Sequence, residues 1–147
     1  MTDHAVATGR KTPIWFWIVG VLAVVWNFGG VFDYVMTKTN DAYLESFTPE
    51  QVVYFTGFPA WYTAIWASAV LAAFFASLAL LFRMKIAFVL FAASLVLFVF
   101  NTIYIYGFTP ALDMMGTGGA IFSVFIFASL VALTWLSRWA TKAEILR

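Results

Sequence analysis

Four long apolar stretches, at about 14–36, 59–82, 86–106 and 119–139, dominate this sequence and leave only short polar gaps between them. A helix needs about 20 mostly apolar residues to cross a hydrocarbon core about 30 Å thick, and each stretch is long enough. Of the 147 residues, 64% are hydrophobic and 10% charged, whereas a water-soluble domain keeps roughly a quarter of its residues charged. The expectation is an all-α membrane protein: one integral domain, a four-transmembrane-helix antiparallel bundle, with the lipid bilayer as its first partner.

The basic residues orient the bundle. Arg10 and Lys11 precede the first stretch, Arg83 and Lys85 separate the second from the third, and Arg138, Lys142 and Arg147 come late or after the fourth. Only Lys38 lies in the alternate gaps, which hold Asp33, Asp41, Glu45, Glu50 and Asp113 instead. Lys and Arg accumulate on the cytoplasmic side of membrane proteins, so both termini and the Arg83–Lys85 turn are expected there. Trp15, Trp17, Trp135 and Trp139 then form an inner aromatic belt; Trp61, Tyr62, Tyr104 and Tyr106 form an outer one. The first stretch exceeds a signal-peptide core and no A-x-A site follows it, so it reads as a retained helix.

The gap between the first two spans has structure of its own. Thr48-Pro49-Glu50-Gln51 is a helix start, with Thr48 as N-cap and Gln51 closing a capping box. A short helix in this outer loop would rest Val52, Val53, Phe55 and Phe58 on the membrane or bundle. The 107–119 gap, with Pro110 and several glycines, reads as an irregular, mobile loop.

Between helices in lipid, association relies on small residues and a few hydrogen bonds. Candidate seams run through Gly20, Ala23, Asn27, Gly30 and Tyr34; through Trp66, Ala69, Ala73 and Ala76; through Ala87, Ser94, Asn101 and Tyr104; and through Phe125, Ala128, Ala132 and Trp135. Phenylalanine-rich faces are then left for lipid. Counted from the starts of their spans at 1.5 Å per residue, Asn27 and Asn101 lie about 20 and 22 Å up. Each is expected to point inward, bonded to the other or to a backbone carbonyl, or else to line a ligand site. Asp33 is expected at the interface, as a partner for Lys38 or in a polar mouth with Tyr34, Tyr104 and Tyr106. Trp26, Asn27, Asp33, Tyr34, Asn101 and Tyr104 are therefore the candidate polar-cleft or packing residues.

Several chemistries find no footing. The chain has no cysteine and one histidine, His4, in its polar N-terminal tail, so thiolate sites are excluded and no catalytic or metal centre is expected. The acidic residues match no calcium-loop spacing. No basic patch suits nucleic acid, and no nucleophile–base pair suggests an enzyme. No cofactor is expected.

The run Trp26-Asn27-Phe28-Gly29-Gly30-Val31-Phe32-Asp33-Tyr34-Val35-Met36-Thr37 is followed by Asn40, Ala42-Tyr43-Leu44, Phe47-Thr48-Pro49-Glu50-Gln51 and Phe58-Pro59-Ala60-Trp61. This pattern resembles a group of small uncharacterised bacterial four-helix inner-membrane proteins, some loosely labelled sugar transporter. The resemblance covers the first half of the chain. It implies a bacterial cytoplasmic (inner) membrane and brings no catalytic or binding residues. Two functions remain in view: association, as a homo-oligomer or within a larger membrane complex, and passage of a small solute through an oligomer. Aromatic rings beside amides suit the second.

Overall fold

The computed structural model describes residues 12–147; the expectations for His4, Arg10 and Lys11 lie outside them. Six helices follow one another: α1 (Ile14–Thr39), α2 (Asp41–Leu44), α3 (Pro49–Thr56), α4 (Ala60–Leu81), α5 (Ile86–Phe108) and α6 (Ala111–Lys142). No strand occurs among the described residues. Four helices, α1, α4, α5 and α6, are long and apolar enough to cross a membrane. Their outward faces carry large apolar side chains such as Ile14, Leu22, Phe75, Val96 and Val124. In water such a surface would be a liability; against acyl chains it is the ordinary solvent boundary.

The ends of these helices have local causes. Thr48 accepts from the Gln51 backbone N–H while the Gln51 side chain accepts from the Thr48 N–H, and Pro49 occupies the first turn of α3. Such reciprocal bonds satisfy donors that a helix start leaves free. Helix α5 runs two residues past Tyr106 and stops where Pro110 forces Thr109 into extended backbone, at φ −133° and ψ 161°.

The expected irregular loop over 107–119 is not there. Helix α6 opens at Ala111 and is interrupted at a single residue, Gly116, with φ 64° and ψ −173°. Glycine alone enters that conformation without steric cost. One glycine takes up the whole change of direction, and the residues on both sides of it stay helical.

Helices α1 and α4 meet along the predicted small-residue seam. Gly20 lies against Leu81 and Gly30 against Val70, and the Tyr34 and Trp66 rings meet edge to face at 5.0 Å. A Cβ at Gly20 would lie 3.0 Å from Leu81 Cδ1, so a larger residue there would require the Leu81 side chain to give way. Ser94 on α5 donates to the Ala69 carbonyl on α4 at 2.8 Å. Large side chains span the space between α1 and α6: the Trp26 indole N–H donates to Ser129 Oγ at 3.1 Å, and Trp15 stands 5.6 Å from Trp139.

One expectation about packing is overturned. Phe125, Ala128, Ala132 and Trp135 do not form the α6 seam; all four are exposed. Leu130, Leu133, Leu136, Ser137 and Ala140 face the bundle instead. Leucine bulk fills the room that Ala76, Ala79 and Ala87 leave in the same core, so alanine spacing alone pointed to the wrong face. The expected phenylalanine-rich outer faces are present in Phe28, Phe75, Phe100, Phe122 and Phe125, while Phe16 and Phe91 are fully buried.

The core is lopsided. Its members, among them Phe16, Ala23, Ala73, Leu80, Phe91 and Leu133, cluster toward the end that carries Arg83 and Lys85. There the residues after α6 fold back on the α4–α5 turn. Arg147 N–H donates to the Arg83 carbonyl, Lys85 N–H donates to the Arg147 carbonyl, and Arg83 Nε donates to the Ile145 carbonyl. Ile145 and Leu146 are buried beneath this clasp.

Both α4 and α6 end in the same capping geometry. Met84 N–H donates to Ala79 O and Arg83 N–H to Leu80 O; Ile145 N–H donates to Ala140 O and Glu144 N–H to Thr141 O. This paired pattern places one residue in the left-handed region, a position glycine favours. Here Arg83 (φ 62°) and Glu144 (φ 57°) hold it. A left-handed conformation costs a non-glycine residue roughly 1–2 kcal/mol. Glu144→Gly is therefore expected to raise stability by about 1 kcal/mol, read as a higher unfolding midpoint in detergent; an unchanged or lower midpoint would show that no strain is held there.

Candidate functional site

The six residues singled out from sequence do not form one cleft; they fall into three groups. The first is structural. Asn27, on the α1 seam, donates through Nδ2 to the Ala23 carbonyl and to Ser77 Oγ on α4, both at 2.9 Å, while Ser77 donates to Ala73 O. The amide is spent on packing. Trp26, one residue earlier and thus turned about 100° around the helix, reaches α6 through Ser129 and lies tilted at 6.0 Å from the Phe122 ring.

The second group ties the end of α1 to the helices that follow. Asp33 accepts from the Tyr43 hydroxyl at 2.6 Å. That bond, followed by burial and the Asp33 charge, pushes the Tyr43 phenol up to about 12. Lys38 does not pair with Asp33. Its ammonium donates to the Phe55 carbonyl of α3 at 3.1 Å and lies 5.7 Å from the centre of the Trp66 ring. With Tyr34 against the same tryptophan, these contacts hold α3 over α1 and α4.

The third group is the candidate site. Asn101 is 7% exposed, and its Oδ1 is buried without a hydrogen-bond partner. The Ser94–Ala69 bond sets the register of α5 on α4; seven residues on from Ser94 and seven back from Ala69 are Asn101 and Tyr62. The Tyr62 and Tyr104 rings pack 5.0 Å apart, Trp61 meets Tyr104 at 4.7 Å, and Phe58 meets Tyr62 at 4.5 Å. Helix α3 covers this aromatic end of the bundle. Tyr54 OH shares a 2.7 Å bond with Thr109, and the Gln51 side chain donates to the Met114 carbonyl. Burial raises the Tyr54 phenol, the Thr109 bond opposes that, and the nearby Tyr106 and Tyr104 hydroxyls add to the rise. Tyr54 is therefore neutral at physiological pH.

Asn27 and Asn101 were expected at one depth and free to meet. Asn27 bonds Ser77 on α4, whereas the register set by Ser94 and Ala69 puts Asn101 level with Tyr62, about 22 Å away along that helix. The miscount has a simple origin. Gly20 of α1 lies level with Leu81 at the end of α4, so α1 begins well before the α4–α5 turn, whereas α5 begins at it.

Sequence reasoning missed Ser77, Ser129, Tyr54 and Thr109, and gave Tyr62 and Gln51 only as a belt residue and a helix cap. A signal existed for α3: Gln51, Tyr54, Phe55 and Phe58 recur at helical spacing, which marks one face. Of the residues expected to rest on the membrane or the bundle, Val53 points away from the bundle and is 72% exposed.

Compared with models of known families, with curated proteins and with solved structures, the chain matches none.

What the aromatic end offers is an electrically neutral setting of ring faces and hydroxyls, with one buried carbonyl oxygen awaiting a donor. Among the described residues, no three His, Asp or Glu side chains are grouped to hold a metal ion. Hydrogen bonding and stacking are the chemistry this end can perform.

Proposed function

We propose that this chain is a multi-pass protein of a bacterial cytoplasmic membrane, an antiparallel bundle with both termini cytoplasmic, that works by associating with copies of itself or with other membrane proteins. The exposed stripe on α6 carries this reading. Ala128 and Ala132 lie open between the exposed rings of Phe125 and Trp135, while leucines serve the internal contacts. Small residues on a lipid-facing helix let a second backbone approach closely, and flanking large side chains give the notch walls. Orientation is supported by Arg83, Lys85 and Arg147 meeting at one end through the clasp, as the cytoplasmic bias of basic residues requires.

The chain contains no cysteine, which makes site-directed cross-linking clean. Ala128→Cys or Ala132→Cys in native membranes is expected to give a cross-linked product. The bulkier Ala128→Leu, added to Ala132→Cys, is expected to cut the yield by about tenfold, equivalent to about 1.4 kcal/mol of association energy. A chain that stays solitary and gives no product from either cysteine would end this reading.

The unpartnered Asn101 oxygen favours a second reading, a small-solute transporter or permeation module built from an oligomer. Rings of Tyr62, Tyr104 and Trp61 would cover the apolar parts of the solute and Asn101 would accept one of its hydrogen bonds. Uptake into proteoliposomes that is lost in Asn101→Leu would support it; no uptake of any solute tested would oppose it.

A further inference from the structure

An open groove of about 410 Å³ runs between the α3-proximal halves of α5 and α6. Phe98, Thr102 and Tyr106 line it from α5; Ala120, Ser123 and Phe127 line it from α6. Leucines bury α6 in the core from Leu130 onward; its earlier half meets α5 through the Tyr106–Ser123 bond. Beyond the Gly116 break, Leu112 lies over one end of the groove.

Every polar side chain in the lining is already bonded within the protein. Thr102 donates to the Phe98 carbonyl at 2.8 Å, Ser123 donates to the Gly119 carbonyl at 3.0 Å, and the Tyr106 and Ser123 hydroxyls share a bond of 3.0 Å. A polar ligand would find no unpaired group in this lining. Size narrows the occupant further. The groove is open along one side, where Ile103 is 60% and Val124 66% exposed, and a closed apolar cavity of about 150 Å³ holds benzene, so roughly 16 carbon atoms is the most it takes. A second transmembrane helix, about 10–12 Å across with its side chains, is too thick. The ten lining residues also fall short of the roughly 20–30 per side that a stable protein interface uses.

We propose that this groove is a binding site for a single acyl chain of a membrane lipid. The chain enters sideways from the bilayer and lies between α5 and α6, completing the packing that the two helices lack at this level. Binding is by shape and apolar contact, so acyl length matters more than headgroup. This site is separate from the α6 stripe that Ala128 and Ala132 form on the lipid-facing side.

The test uses the full chain purified in detergent, exchanged repeatedly to strip loosely held lipid, and then offered dioleoyl phosphatidylglycerol or dioleoyl phosphatidylcholine. Native mass spectrometry counts the lipid retained. One lipid per chain is expected for either headgroup, with retention falling about tenfold for dilauroyl lipids. Ala120→Phe fills the groove from α6 and Thr102→Phe fills it from α5. Each is expected to reduce retention about tenfold while the unfolding midpoint stays at or above that of the parent. Should one variant fail to fold, the other carries the comparison. Three results would overturn the proposal: no lipid retained by the parent, undiminished retention in a folded groove-filling variant, or retention that follows headgroup and ignores acyl length. An adventitious detergent chain in place of lipid, not displaced by either lipid, would overturn it as well.

Discussion

Truncating Leu146 to alanine is expected to lower the stability of the bundle by about 2–5 kcal/mol, the usual penalty for emptying a buried leucine site. Leu146 is 1% exposed and belongs to the same core as Phe16, Leu80, Ala87 and Ala140. The positive φ of Glu144 turns the chain after α6, the backbone bonds between Arg147 and the α4–α5 turn hold it, and Leu146 fills the space beneath. Ile14→Ala provides the comparison: Ile14 is 79% exposed, and its loss is expected to stay within about 0.5 kcal/mol. Unfolding of both variants in a mixed detergent–SDS titration measures the difference. Equal midpoints would show that the clasp contributes nothing to stability.

The two asparagines should respond in opposite directions to the same change. Asn27→Leu removes the bond to Ser77. Interhelical bonds of this kind average about 0.6 kcal/mol and reach about 1.7, so a loss of about 1–2 kcal/mol is expected. Asn101→Leu removes a buried oxygen that has no partner. An unsatisfied buried group costs about 1–3 kcal/mol, so this variant is expected to match or exceed the parent in stability. The same SDS titration reads both. If Asn101→Leu proves the weaker variant, a donor from outside the chain occupies that oxygen in the membrane, and the solute-binding reading gains over the association reading.

Much of the architecture was legible because its causes are local or periodic. Runs of apolar residues gave the four long helices, Thr48 and Gln51 gave the start of α3, and glycine and alanine at heptad spacing gave the α1 and α4 faces. The buried set Ala87, Ser94 and Asn101 on α5 also follows from spacing. What escaped depends on relations between helices. The face of α6 is chosen by the volume that neighbouring alanines leave empty, which no single-helix pattern contains. The level of Asn27 depends on how far α1 extends past the α4–α5 turn. The 107–119 region looked broken because Pro110, Gly116, Gly118 and Gly119 are all turn formers; only Thr109, Pro110 and Gly116 leave the helix. The clasp rests on two non-glycine residues in a conformation that composition argues against, so no turn signal announced it.

Firm attachment at one extremity and looser attachment at the other makes this molecule a pair of tweezers. The leucine-filled half and its backbone clasp act as the joined base. The opposite tips are α3, tied down mainly by side-chain bonds, and the start of α6, joined to the rest of its helix through Gly116 and to α3 through the Gln51–Met114 bond. Any difference in attachment strength between the two ends follows from where leucine bulk and backbone bonds are concentrated.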